Sequence, residues 1–327
     1  MEAIKIGIGV ALLGLLWHMG LIDPAQLGRG FSAHPWLMAA TVGLHGAMFL
    51  LLAQRWRVVA RAGGVEVATE LASRLTLTSH FFSTCLPGNG AGDLVKGWIF
   101  SRRGTDFGVV LGTMVLDRIM GMAGLFVSWT VFLAVGIALH PGSSGLLLPF
   151  LGFGLVGAAG FLAIAAFSGR ILSILDWIAS RRGGRRWAIA VGFARKILGP
   201  VAAGGASPST LAKALALSLA IQSCYIATAW IAGQILSSSA SLVSCGSVLP
   251  LVSLVNAIPL SPGGIGLGES VGAAAMREFG MAPDAGSQIV LVVRIASVFW
   301  ALVGGLCYLS LRPHKAASGS KRRQELS

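Results

Sequence analysis

Apolar residues in this chain come in long blocks instead of alternating with polar ones. Residues 4–22, 36–53, 119–139, 146–168, 211–236 and 287–311 form six such blocks, near or above the roughly 20 residues with which a helix crosses a bilayer. The pattern predicts an all-α integral membrane protein, a polytopic bundle with about six full spans. Between the second and third blocks, Leu75 to Leu86 is apolar and rich in Ser and Thr but too short to span. It ends in Cys85-Leu86-Pro87-Gly88-Asn89-Gly90-Ala91-Gly92, where Pro removes a donor and Gly permits tight turns. Asp93 then caps a second short helix running through Lys96 to Phe100. A similar interruption follows the fifth block. Leu242 to Leu260 runs into Pro259-Leu260-Ser261-Pro262-Gly263-Gly264-Ile265-Gly266-Leu267-Gly268, and Glu269 opens a short helix to Phe279.

Both interruptions read as re-entrant hairpins, over residues 66–100 and 242–279. Each is Pro/Gly-broken, each is followed by a carboxylate at a helix start, and alternation of the spans makes them enter from opposite faces, as in the inverted repeats of transporters. Irregular backbone at membrane depth persists only where protein or a water-filled cavity covers it. The two tips are therefore expected to meet and line a cavity. Neither glycine run is a nucleotide loop, because neither follows a strand or leads into Gly-Lys-Ser/Thr.

Composition excludes a soluble enzyme. Of 327 residues only 11% are charged and 55% are apolar, against roughly 25% charged in a soluble domain. The 25 Lys and Arg exceed the 12 Asp and Glu by 13, yet they bracket the apolar blocks and form no nucleic-acid patch. Arg55, Arg57 and Arg61 follow the second block, Lys96, Arg102 and Arg103 precede the third, Arg170 to Lys213 fill the connection after the fourth, and Arg312 to Arg323 form the tail. The positive-inside rule makes that side cytoplasmic and puts both termini there. Residues 1–311 then form one transmembrane domain and 312–327 a basic cytoplasmic tail. The first block lacks a small-residue cleavage pattern and reads as a retained span. Cys85, Cys224, Cys245 and Cys307 lack Cys-x-x-Cys spacing and read as small apolar residues, so no metal or other cofactor is expected.

Within the connection at 169–210, Ile171, Ile174, Leu175 and Ile178 share one helical face, as do Trp187, Val191, Ala194 and Leu198. These predict two amphipathic surface helices, ended by Gly183-Gly184 and Gly199-Pro200, with arginines suited to an anionic leaflet.

Leu86-Pro87-Gly88 with Gly92-Asp93 and Lys96, Asp117-Arg118 with Gly121, Pro259-x-Ser261-Pro262-Gly263-Gly264-x-Gly266 with Glu269, and Arg294 in the last span form an ordered set over most of the chain. In this set the chain resembles the lysylphosphatidylglycerol synthase transmembrane region family, the flippase-like domain also found in multiple peptide resistance factor. The resemblance implies movement of a lipid between leaflets of a bacterial inner membrane. Because the sequence stops at Ser327, the separate synthase activity of bifunctional relatives is not expected.

A charge at the centre of a span costs about 2.5–3.5 kcal/mol, so its retention points to a partner or a cavity. Asp117 and Arg118 are adjacent and point about 100° apart on a helix, so each needs another partner. Arg118 and Arg294 are expected to face the cavity, where each meets Asp93, Glu269 or a lipid phosphate. An arginine fork suits phosphate, and a neighbouring carboxylate holds it between lipid visits. The sequence leaves open whether Asp117 and Arg118 lie in the membrane or at its surface. Glu70 and Arg74, four apart, read as a structural pair, and His80 as an interior residue. Asp93, Lys96, Asp117, Arg118, Glu269 and Arg294 are thus the candidate substrate-binding set, with Pro87, Gly88, Gly92, Pro262, Gly263, Gly264 and Gly266 at the hairpin tips. The expected partners are membrane lipids with anionic head groups. Translocation of an anionic phospholipid or isoprenoid-type lipid is the leading reading; a non-catalytic accessory subunit of a membrane enzyme, and more distantly a membrane-embedded transferase, remain alternatives.

Overall fold

A computed structural model describes residues 18, 24–85, 90–102, 104–139, 144–182, 184, 187–189, 191–192, 195, 199, 202, 207–258, 264–282 and 284–311. Among them there are helices and no strand: α1 (Pro24–Ala33), α2 (Pro35–Ala62), α3 (Thr69–Cys85), α4 (Ala91–Ser101), α5 (Phe107–Leu139), α6 (Ser144–Arg182), α7 (Pro208–Ile235), α8 (Leu242–Asn256), α9 (Leu267–Arg277) and α10 (Ala285–Leu311). Five helices are long and apolar enough to cross a membrane: α2, α5, α6, α7 and α10. They coincide with five of the six apolar blocks; the first, at 4–22, lies outside the described residues, as does the tail at 312–327.

Helix lengths repeat along the chain. α2 to α5 have 28, 17, 11 and 33 residues, and α7 to α10 have 28, 15, 11 and 27. Both long first helices start with Pro, whose fixed φ and missing donor suit the first helical position, and Ser207 caps α7 by accepting from the Thr210 amide. The two repeats run in opposite directions where they meet. Arg55 near the end of α2 donates to Ser218 near the start of α7, and Gly30 just before α2 abuts Ile235 at the end of α7. The short helices then exchange partners, α3 packing on α10 and α8 on α5. Both hairpins are thereby held between the repeats.

Inside each hairpin the packing also repeats. A β-carbon on Gly92 would strike the Ser83 hydroxyl, and one on Gly268 would strike the Asn256 side chain; Ser83 and Asn256 are each the fifteenth residue of their helix, α3 and α8. The second hairpin turns through Gly264 and Gly266 with φ of 71° and 81°, a left-handed conformation that glycine adopts without steric cost. Gly92 closes the first. Pro87, Gly88, Pro262 and Gly263 lie outside the described residues.

Four features differ from the sequence-based expectation. The second span runs on to Ala62 instead of ending near 53. The third span begins at Phe107 instead of 119, because residues 107–118 carry no Pro to break the helix and are largely apolar, so Asp117 and Arg118 lie well inside α5. The fourth span and the first predicted surface helix are one helix, α6, bent at Phe167 (φ −119°, ψ 19°) beside Ser168-Gly169, the kind of small-residue pair at which helices kink without ending. Past the bend, Arg181 lies over the Trp177 ring and Asp176 pairs with Arg195 at 2.9 Å. Of the second surface helix only part lies among the described residues, where 187–189 and 191–192 are helical. Finally, Asp93 does not cap α4. Gly90 holds that position without a side-chain bond, and the Asp93 carboxylate is used elsewhere.

Between helices in lipid there is little hydrophobic drive, and association rests on close packing of small residues. Gly272 of α9 and Gly286 of α10 face each other backbone to backbone, and Gly304 of α10 lies against the Leu77 carbonyl of α3. Gly286→Ala should therefore lower stability by about 1–3 kcal/mol through overpacking. Gly160→Ala, in α6 with open space around its Cα, should be neutral or gain up to about 1 kcal/mol from helix propensity. Thermal midpoints of the two purified variants in detergent check the contrast; equal midpoints would show that the close approach is not tight.

Candidate functional site

The third residue of α4 is Asp93 and the third of α9 is Glu269. Each carboxylate sits 25 residues before the arginine it binds: Arg118 Nε donates to Asp93 at 2.6 Å, and Arg294 Nε donates to Glu269 at 2.5 Å. In each case the first turn of the second hairpin helix is tied to the long helix that follows, α5 or α10. The surroundings of the two pairs are unequal. Glu269 is wholly buried and Arg294 is 18% exposed; Glu269 also accepts the Gly266 amide at 2.8 Å, and Arg294 donates to the Gly264 carbonyl at 3.1 Å. Asp93 and Arg118 are 25% and 55% exposed, with Ser79 donating to the same carboxylate.

A cavity of about 450 Å³ lies where the ends of the two hairpins converge. Its walls follow the repeat. Met48, Phe49 and Leu52 of α2 and Ile221, Gln222 and Tyr225 of α7 stand at the fourteenth, fifteenth and eighteenth places of their helices, and His80 and Ser83 of α3 match Ser253 and Asn256 of α8. The cavity thus lies between equivalent surfaces of the two repeats. Arg294 lines it, whereas Arg118 does not. On α5, Arg118 lies on the same face as the cavity residue Leu125, seven residues and about 10 Å before it.

The lining mixes apolar and polar groups. His80 Nε2 bonds to Ser297 at 3.0 Å, and the Tyr225 hydroxyl bonds to Ser253. His45 Nδ1 and Gln222 Oε1 are buried without a hydrogen-bond partner among the described residues. The chamber thus presents two buried atoms with unused hydrogen-bonding capacity alongside the Arg294–Glu269 pair.

Asp117 finds its partner in Arg55, which grips it with Nε and Nη2 at 2.8 and 3.1 Å. Sequence reading placed Arg55 among cytoplasmic flanking cations. The structure buries it at 5% exposure, because α2 continues past it to Ala62 and Gly121 leaves room for its guanidinium against α5. The signal was present in the spacing: Arg57 and Arg61 are four apart and share a face, while Arg55 is about 200° from Arg57. Lys96 is likewise no surface cation. Its ammonium lies 3.7 Å from the Trp56 ring centroid and 3.5 Å from the Thr76 hydroxyl. In the second repeat, the equivalents of Arg55, Lys96 and Asp117 are Thr228, Gly272 and Val293. His45, Gln222, Tyr225 and Asn256 were also missed, since isolated polar residues in apolar blocks carry no motif. Glu70 and Arg74 form the expected pair at 2.6 Å. Cys85 is exposed and Cys245 buried, so burial of all four cysteines does not hold. Among the described residues, no group of His, Cys, Asp or Glu is arranged to hold a metal.

These features define a polytopic helical membrane protein built on two repeats around a polar chamber. A family model for the lysylphosphatidylglycerol synthase TM region matches residues 3–305, and the chain belongs to this family. The match is to a transmembrane region, which ties the protein to a membrane lipid-related role. Comparison with curated proteins and with solved structures gives no match.

The unequal burial of the two pairs sets different energetic roles. Glu269→Gln or Arg294→Gln alone should cost about 3–5 kcal/mol, since each leaves a buried charge unpaired, while the double variant recovers part of the loss. Asp93→Asn, at a half-exposed pair, should cost about 1 kcal/mol or less. A double-mutant cycle on unfolding midpoints measures both; no coupling between Glu269 and Arg294 would refute the assignment.

Proposed function

We propose that this protein moves an anionic lipid between the leaflets of the membrane, with the head group passing through the chamber beside Arg294 while the hydrocarbon chains stay in the bilayer. The observation that carries this reading is a cavity between the two repeats whose largely apolar wall carries an arginine fork and several other polar groups, set among helices long and apolar enough to span. In this reading the α3–α4 and α8–α9 hairpins are re-entrant and enter from opposite faces, α2, α5, α6, α7 and α10 cross the membrane beside the predicted first span, and both termini are cytoplasmic. The opposed repeats support it, because transporters with broken helices place their sites near the bilayer midplane between such halves. An accessory subunit would need no polar chamber at its centre.

Arg294 and Arg118 have separate parts in the mechanism. Arg294 meets the head group inside the chamber, where its guanidinium exchanges the Glu269 carboxylate for a phosphate oxygen of similar charge and geometry. Arg118, half-exposed on the face of α5 that leads to Leu125, draws the anionic group toward the chamber and returns to Asp93 once it has passed. Asp93, Lys96, Asp117, Arg118, Glu269 and Arg294 are the residues on which the reading depends. Among them Lys96 acts at a distance, by leaving the first repeat's interior with a surplus positive charge, and Asp117 holds and neutralises the buried Arg55.

In liposomes holding the purified protein, a fluorescent phosphatidylglycerol in the inner leaflet should become accessible to an external quencher. Arg294→Gln should abolish that movement, and Arg294→Lys, which keeps the charge beside Glu269 and loses the fork, should restore part of it together with part of the stability lost in Arg294→Gln. Movement at the native rate in folded Arg294→Gln protein would overturn the assignment.

A further inference from the structure

The seam where α2, α3 and α10 meet holds a second, smaller cavity of about 260 Å³, walled by Gly43, Ala47, Leu50, Leu77 and Trp300. Phe49 borders both this cavity and the polar chamber. Gly43, Ala47 and Leu50 are spaced by four and three residues, one stripe of α2, and Leu50 is 56% exposed on the outer surface of the bundle, so the cavity faces the bilayer on one side. Gly46 lies flat against the Trp300 indole, which is held by a 2.8 Å bond to the Val42 carbonyl and forms the slot's rigid wall. Nothing lies within 4 Å of where a Gly43 β-carbon would project.

The equivalent seam of the second repeat, among α7, α8 and α5, is filled. There the counterpart of Ser73, which also lines the open cavity, is Gly246, against which the Phe132 ring is pressed, and the counterpart of Trp300 is Gly124, which abuts Ser218. One seam is therefore open toward the bilayer and its twin is closed.

We infer that the open seam is a binding site for a single hydrocarbon chain of a membrane lipid, an acyl or isoprenoid tail, seated between α2, α3 and α10 while its head group occupies the polar chamber on the far side of Phe49. The inference rests on the translocation reading for the head group alone. The chain site follows from the largely apolar lining, the opening toward lipid, and the adjacency of the two cavities, which share the Phe49 side chain as a common wall. Gly43 and Ala47 leave the slot its width, and Trp300 and Leu77 give a chain its contact surface.

The test uses phosphatidylglycerol with a diazirine in its acyl chain, reconstituted with the full-length protein in vesicles and activated by light. Labelling is expected to concentrate on Leu50, Leu77 and Trp300. Gly43→Leu, which fills the slot where the fold leaves space, should reduce labelling there by about tenfold, the factor expected when roughly two methylenes lose their burial, without lowering the melting midpoint. Val131→Leu, on the exposed face of α5, should leave it unchanged. Labelling spread evenly over the outer surface, or unaltered in folded Gly43→Leu protein, would overturn the site. Because labelling is read without any lipid crossing, slot labelling in a protein that moves no lipid would uphold the chain site and sink translocation, while movement without slot labelling would do the reverse.

Discussion

An ionised carboxylate with no exposed surface, in a protein whose surroundings are largely apolar, persists only if its whole coordination is satisfied. Glu269 meets that demand with the Arg294 fork and the Gly266 amide. Arg294 in turn bonds the Gly264 carbonyl, so the pair fixes the turn between α8 and α9 as well as the approach of α9 to α10. Removing either partner leaves the other charge buried, which costs far more than the pair itself contributes. The position of the second hairpin, and with it one wall of the chamber, therefore depends on this interaction. Close contact of Gly272 with Gly286 beside it permits the short distance that the ion pair requires.

The first repeat solves the same geometric problem with a different charge balance. Asp93 and Arg118 hold the equivalent places, but around them stand Arg55, Asp117 and Lys96, where the second repeat has Thr228, Val293 and Gly272. Three cations thus face two carboxylates in one half, against one of each in the other. Arg55 is neutralised by Asp117, and Lys96 rests on the Trp56 ring, where the ring quadrupole stabilises a desolvated cation by about 2 kcal/mol. In the proposed translocation, this surplus positive charge on one side of the chamber would draw an anionic head group toward Arg118 before it meets Arg294. The duplicated frame supplies two hairpins, and divergence within it gives the two halves unequal work.

Much of this frame was legible in the sequence because it is written in run lengths and breakers. Apolar blocks located five long helices, and Pro-Gly clusters located both helix breaks, to within a few residues except where a helix runs on beyond its apolar block with no Pro to stop it, as after residue 53, before 119 and after Phe167. That Arg118 and Arg294 would meet Asp93, Glu269 or a lipid phosphate could be anticipated because isolated charges in apolar helices need counter-charges, but which carboxylate each takes came only from the fold. Arg55 could not be placed by counting cations, since a count treats Arg55, Arg57 and Arg61 alike and only their directions around the helix separate them. The chamber residues His45, Gln222, Tyr225 and Asn256 were hidden for another reason: a single polar residue in an apolar block reads the same whether it faces lipid, a neighbour or a void, and only the packing of α2 against α7 decides.

Asymmetry between the repeats bears on how the frame could work. Were the two halves equivalent in conformation as well as order, Arg118 would line the chamber as Arg294 does, and the seam at Gly246 would be as open as that at Gly43. Instead, Arg294 is enclosed and its repeat contributes α10 to the open seam, while Arg118 is half-exposed and its repeat contributes α5 to the closed one. These differences run together because α3 packs on α10 and α8 on α5, so a shift of either hairpin alters one seam and one arginine at once. A motion that exchanged the two arrangements would close the Gly43 seam, open the Gly246 seam and carry Arg118 toward the chamber. The partner exchange of the short helices would therefore couple the proposed head-group site to the side from which a chain enters the seam.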